Sequence, residues 1–125
     1  MKLVIIGQLP RKSNSRRIVT NSATGKPMVI KSKEARDYEM DFEKQIPIRY
    51  RQKLDGHLEI KGTVYYRSNR SDLSIELLLD CLERSGVIIN DRRIVRQEIY
   101  KKIDRKNPRV EIEIKELRGY ILEDE

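Results

Sequence analysis

Apolar and polar residues alternate with period two in two stretches of this chain and recur at helical spacing in two others. Along residues 57–67, Leu58, Ile60, Gly62, Val64 and Tyr66 fall on one face, with His57, Glu59, Lys61, Thr63, Tyr65 and Arg67 on the other. That is the signature of a strand with one packed face. Residues 109–117 repeat it, with Val110, Ile112 and Ile114 inward and Arg109, Glu111, Glu113 and Lys115 outward. Residues 93–103 place Val95, Ile99 and Ile103 on a face shared with Lys101. The turn-rich run 104–108 separates the last two strands, so they are expected to pair as an antiparallel hairpin. Residues 2–7, apolar and β-branched and closed by Gly7, read as a further strand.

Two helices are predicted between these strands. The first begins at Ser32, a good N-cap, carries Glu34 and Asp37 early, and ends near Gln45, before Pro47. Its apolar contacts are expected from Ala35, Tyr38, Met40 and Phe42. The second spans 71–85, with Ser71 as N-cap and Gly86 as the stop. Leu73, Ile75, Leu77, Leu78, Leu79, Cys81 and Leu82 cover most of its circumference, which marks a buried helix. The polar run 8–17 reads as a loop, and 20–27 as the tip of a hairpin with arms 17–19 and 28–31. A short apolar piece, 87–89, leads to Asn90-Asp91, and the tail 120–125 either frays or docks on a partner. No internal repeat or low-complexity segment is present. The expected fold is one α+β domain over 1–125, with a small mixed sheet of about four strands and two main helices against it.

Composition narrows the function. The chain has 125 residues, 38% of them charged, enough for one core and too few for two. No apolar run approaches the roughly 18 residues that span a membrane, and the N-terminal apolar stretch is too short for a secretory signal. A lone cysteine, Cys81, cannot form an internal disulfide, so a reducing cytoplasm is the expected setting. The net charge is +7, and residues 1–33 hold eight Lys or Arg and no Asp or Glu. Beyond residue 33 the chain is close to neutral. Charge segregated in this way is the footprint of a polyanion binder, against the plainer reading of a solubilising loop. Arg11, Lys12, Arg16 and Arg17 are the expected phosphate grips, with Ser13 and Asn14 beside them to hydrogen-bond backbone or bases.

The acids suggest chemistry. On a helix, steps of four advance only about 40°, so Asp72, Glu76 and Asp80 are expected to share one stripe. Asp91 follows the Gly86 turn, where the chain could return to the helix start. Such a stripe is either a solvated face or a site for Mg²⁺, a hard cation that takes oxygen ligands and activates water against a phosphodiester. Lys101 is either a snorkelling edge lysine or a cation near the scissile phosphate. Tyr65 and Tyr66 could stack on bases, although core packing suits Tyr66 better. His57, the only histidine, reads as structural, and Cys81 as core. Zinc sites of Cys/His type, nucleophile elbows and P-loops are excluded by residue counts and motifs.

The order of these features resembles the RusA family of Holliday junction resolvases, found in phages and prophages. The similar residues are Pro10 with Ser13-Asn14-Ser15-Arg16, Ser32 with Tyr38, Asp72, Asp80-x-Leu82, Gly86-Val87, Asn90-Asp91, Lys101 and the closing run from Pro108 to Ile114. The resemblance implies a homodimeric, Mg²⁺-dependent endodeoxyribonuclease of DNA recombination and repair. Such an enzyme binds four-way junctions and nicks strands of like polarity in pairs. It also implies metal ligation by Asp72 and Asp91. Where the family usually carries Asp-x-Asp-Asn and a lysine one turn later, this chain has Arg70, Leu73 and Glu76 at the first, fourth and lysine positions. The expectation is therefore that Glu76, and Asp80 beside it, complete the carboxylate set, while Lys101 or Arg70 supplies positive charge. Three alternatives stand beside it: a DNA-binding protein of the same fold with weakened or lost cleavage, a protein-interaction module whose acidic helix docks a basic partner, and a structure-insensitive nuclease.

Overall fold

Alternation in the chain's middle and near its end builds the centre of a four-stranded sheet. In the computed structural model, which describes residues 1–123, β1 (Lys2–Ile6), β4 (Leu58–Tyr66), β5 (Ile94–Ile103) and β6 (Arg109–Glu116) lie in the order β1-β6-β4-β5. Asp124 and Glu125, the end of the predicted tail, lie outside the described residues. β6 is antiparallel to both of its neighbours, and β5 is parallel to β4. Parallel pairing requires a crossover, and α2 (Glu76–Arg84) supplies it. The fold is α+β, as expected.

The predicted hairpin of β5 with β6 does not form, because β4 lies between them. The 104–108 connection spans the end of β4, where the Asp104 amide donates to the Tyr66 carbonyl at 2.8 Å. The difference has a physical reason. β6 has the cleaner inward set, with Val110, Ile112 and Ile114 all buried, and takes an interior place. β5 carries Arg96, Lys101 and Lys102 and takes an edge, where charge discourages further strand pairing.

α1 (Lys33–Gln45) begins as predicted, with the Ser32 hydroxyl accepting from the Ala35 amide at 3.1 Å. Ala35, Tyr38 and Phe42 face the core, whereas Met40 is 60% exposed and the buried fourth position is Glu39. α2 starts five residues later than predicted, at Glu76. Ser71 is buried and its hydroxyl accepts from Arg11 Nε at 3.2 Å, so it caps nothing. The Ser- and Ile-containing run that follows has modest helix preference. α2 buries Leu77, Leu78, Cys81 and Leu82, and Gly86 ends it at φ 80°. These helix residues join Leu3, Ile5, Leu58, Ile60, Val64, Tyr66 and the inward residues of β6 in one core. The hairpin of β2 (Arg16–Thr20) and β3 (Pro27–Lys31) forms a separate two-stranded sheet, tied down where the Ser32 amide donates to the Ser15 carbonyl at 2.9 Å.

Candidate nucleic-acid interface and active site

The β4-α2-β5 crossover decides where the four predicted carboxylates fall. Asp72 lies where β4 leaves the sheet, and its carbonyl accepts from the Tyr66 hydroxyl at 3.4 Å. Burial raises the Tyr66 phenol above its ordinary pKa; a backbone hydrogen bond at Ser74 opposes this, and the nearby Asp72 charge adds to it. Lys101 pairs across the sheet from Val64, and its Nζ stands 5.9 Å from the Tyr66 ring centre. Asp72 and Lys101 therefore share one end of the crossover.

Asp91 lies at the other end. It opens a 3-10 turn, Asp91–Arg93, just before β5, and its amide donates to the Glu83 carboxylate in the last turn of α2 at 3.1 Å. Glu83 is seven residues beyond Glu76, about 10 Å along a helix axis. Asp91 and Lys101 are separated by most of β5, where seven strand steps cover about 23 Å. Glu76 and Asp80 do share a stripe of α2, but Asp72 precedes the helix. The expected convergence of Asp72, Glu76, Asp80 and Asp91 is thus not found in one chain. Among the described residues, no group of three His, Cys, Asp or Glu side chains is placed to hold a metal ion.

Glu76 and Asp80 have other partners. Lys12 Nζ lies 3.2 Å from Glu76, and Lys31 Nζ lies 3.8 Å from Asp80. Lys31 also pairs with Glu39, whose second oxygen takes Arg84 at 3.2 Å. The Lys12–Glu76 and Lys31–Asp80 pairs border a cleft of about 100 Å³ lined by Lys12, Ser15, Arg16, Lys31, Ser74 and Glu76, among others. The Arg11–Ser71 bond lays the basic loop across the start of α2, where Lys12 meets Glu76. Lys12, Ser13 and Asn14 form a 3-10 turn on that loop. Arg16 and Arg17 are exposed at the root of the hairpin. Arg16, Arg17 and Arg70 make no ion pair among the described residues. The predicted phosphate grips are therefore brought together, beside the chain segment that carries Asp72.

Lys31, Glu39 and Arg84 escaped the sequence reading. Glu39 could have been found, because it occupies the i+4 place in the core-facing set Ala35, Tyr38, Phe42, where a buried carboxylate needs partners. Burial pushes the Cys81 thiol up to about 12, with the Glu39 charge adding to the effect, so it is an inert core residue. His57 packs edge-on against Tyr120, with ring centres 5.5 Å apart.

The donors suit Mg²⁺ only in part. Asp72 and Asp91 offer exposed carboxylate oxygens with no cation beside them among the described residues. Magnesium commonly uses one or two carboxylates and completes its shell with substrate phosphates and water. In a single chain, however, those two groups stand at opposite ends of α2, and Glu76 and Asp80 are already paired with lysines. One chain alone does not fit the metal.

A basic loop and hairpin set against surface carboxylates on a small α+β domain is an arrangement that suits a protein handling nucleic acid. Residues 9–115 match the family model described as Endodeoxyribonuclease RusA, and the chain belongs to that family. Membership makes it one of the endonucleases that resolve Holliday junctions. No curated protein matches the chain. No helix among the described residues is long and apolar enough to cross a membrane.

Proposed function

We propose that this chain is a Mg²⁺-dependent, structure-selective endodeoxyribonuclease. It acts as a homodimer and resolves four-way DNA junctions by paired nicks. Each active site joins Asp72 of one copy to Asp91 of a second. The observation that carries this reading is the separation of the two unpaired carboxylates by the length of α2, which no side-chain movement closes.

A surface able to receive the second copy lies between them. Beside β5, Leu73, Ile75, Gln97 and Ile99 line a shallow groove, with Ile103 exposed on the same strand. A two-fold axis across this groove would set the copies antiparallel and bring each Asp91 toward the other copy's Asp72. The junction is itself two-fold symmetric, so two equivalent sites match two strands of like polarity.

In the bound complex, Arg11, Lys12, Arg16 and Arg17 hold phosphates, and Ser13 and Asn14 hydrogen-bond backbone or bases. Lys101, at the Asp72 end, offsets charge that develops on the scissile phosphate. Asp72 of one copy and Asp91 of the other would hold a divalent cation, which would polarise the phosphodiester and make water more acidic there. The cytoplasm, and a role in recombination or repair of phage or prophage DNA, fit this activity. A second reading, a junction-binding protein with weakened cleavage, draws on Arg70 and on the lysine pairing of Glu76 and Asp80.

A labelled synthetic junction incubated with protein in Mg²⁺, Mn²⁺ or EDTA separates the two readings. The proposal expects symmetric nicks in metal, none in EDTA, and loss of nicking in Asp72→Asn. Junction binding with no cutting in either metal would leave only the second reading.

A further inference from the structure

Glu76 holds Lys12 on a surface that otherwise presents cations to solvent. The pair spans 3.2 Å, and both side chains are largely exposed, 67% for Lys12 and 59% for Glu76. Lys31, across the same cleft, differs. Its side chain is 29% exposed and is pinned by both Glu39 and Asp80, so it cannot leave without breaking the α1–α2 contact. Arg16 lines the cleft without an ion pair among the described residues. The loop itself does not depend on Lys12. Arg11 is bonded to Ser71, the Ser15 hydroxyl donates to the Arg11 carbonyl at 2.7 Å, and the Asn14 amide donates to the same carbonyl at 3.0 Å. Lys12 can therefore exchange its partner while the loop stays docked.

We propose that Glu76 is a built-in competitor of DNA: its carboxylate stands in for a backbone phosphate on Lys12 and must be displaced before Lys12 grips the strand. This inference rests on the reading of the basic loop as the DNA grip, and it gives Glu76 a role opposite to that of a metal ligand. A competitor weakens binding when no metal is present. A ligand acts only when metal is there.

The thermodynamics give two signatures. Breaking an exposed pair forfeits a small free energy, so Glu76→Gln should tighten DNA binding roughly two- to fivefold. In the native protein, releasing Glu76 leaves a free carboxylate whose ion atmosphere offsets part of the counterion release that Lys12 brings about on DNA. Without Glu76 that offset disappears, and the log–log salt slope should steepen, by no more than about 0.9.

The test is fluorescence anisotropy in EDTA with a labelled four-way junction and a matched duplex, using wild type, Glu76→Gln, Lys12→Gln and the double variant. Melting curves verify that each variant is folded. Glu76→Gln should bind more tightly and with the steeper slope, and the gain should vanish in the Lys12→Gln background. A gain that persists without Lys12 would reflect general repulsion and would overturn the proposal, as would unchanged or weaker binding by Glu76→Gln. Failure of the wild type to bind either DNA would overturn the DNA-grip reading, and the inference with it. An Arg16→Gln, Arg17→Gln control that weakens binding shows that the grip reading stands while the competitor is tested.

Discussion

Gly62 sits in the middle of β4 on the covered face, between Ile60 and Val64, both fully buried. It pairs with Ile112 of β6 on one side and Ile99 of β5 on the other. A Cβ built at this position would meet the Glu111 carbonyl oxygen at 2.0 Å and the Ile112 Cα at 2.7 Å. Both obstacles are backbone, and β6 is itself clamped between β1 and β4, so no side-chain rotation relieves the clash. Adding a methyl group to a tight interior generally costs about 1–3 kcal/mol. A backbone obstacle places Gly62→Ala in the upper half of that range, about 2–3 kcal/mol. At about 2.1 cal/mol/K per residue, a chain of 125 residues has an unfolding entropy of about 260 cal/mol/K. The expected fall in Tm is therefore about 8–12 °C. Calorimetry, with urea unfolding to show an unchanged m value, measures it. A fall of less than about 3 °C would refute the close approach of β6 to β4 and the register that sets Gly62 opposite Ile112.

Burial raises the native pKa of Cys81 to about 12 and also raises those of Tyr38 and Tyr66. Each of these groups favours its neutral, protonated form when folded, so its contribution is fully present below the unfolded value and is lost as pH rises toward the folded one. Urea midpoints should thus fall progressively above about pH 9, the range in which unfolded thiols and phenols ionise. The native Cys81 thiol should stay unlabelled by a thiol reagent at pH 8 and react fully in urea; rapid native labelling would contradict its burial. The double change Arg16→Gln, Arg17→Gln should weaken junction binding and reduce the salt slope by about 1.8, each phosphate contact contributing about 0.9. An unchanged slope would move the DNA grip off the hairpin root.

Local pattern carried much of this fold. The alternation of β6 survives residue for residue and that of β4 nearly so, because each strand has one face against a single core; the exception is Glu59, expected outward, which is buried and paired with Lys61 and Arg96. The Ser32 cap, the Gly86 stop and the 16–20/27–31 hairpin were likewise legible from local chemistry. Strand order was not. Nothing in residues 93–117 says that β4, some thirty residues earlier in the chain, slots between β5 and β6. The start of α2 was misplaced for a similar reason. Ser71 has the chemistry of a cap, but Arg11, sixty positions away, takes its hydroxyl. That shift removes Asp72 from the helix and dissolves the three-carboxylate stripe. The basic loop was visible in charge alone, whereas its anchorage on Ser71 and the pairing of Lys12 with Glu76 were not, since a cation in a polar run carries no mark of its partner.

On the proposed function, each nuclease site is assembled from two copies of the chain. Asp72→Asn and Asp91→Asn, each purified and then refolded together as a mixture, test it directly. In a mixed dimer, one site has both aspartates and the other has neither. Random pairing makes about half of the dimers mixed, so about a quarter of wild-type sites should return. Labelled junction in Mg²⁺ should show that fraction of nicking, mostly as single nicks, while each variant alone shows none. A mixture as inactive as its parents, beside a wild type that cuts, would rule out sites shared between copies.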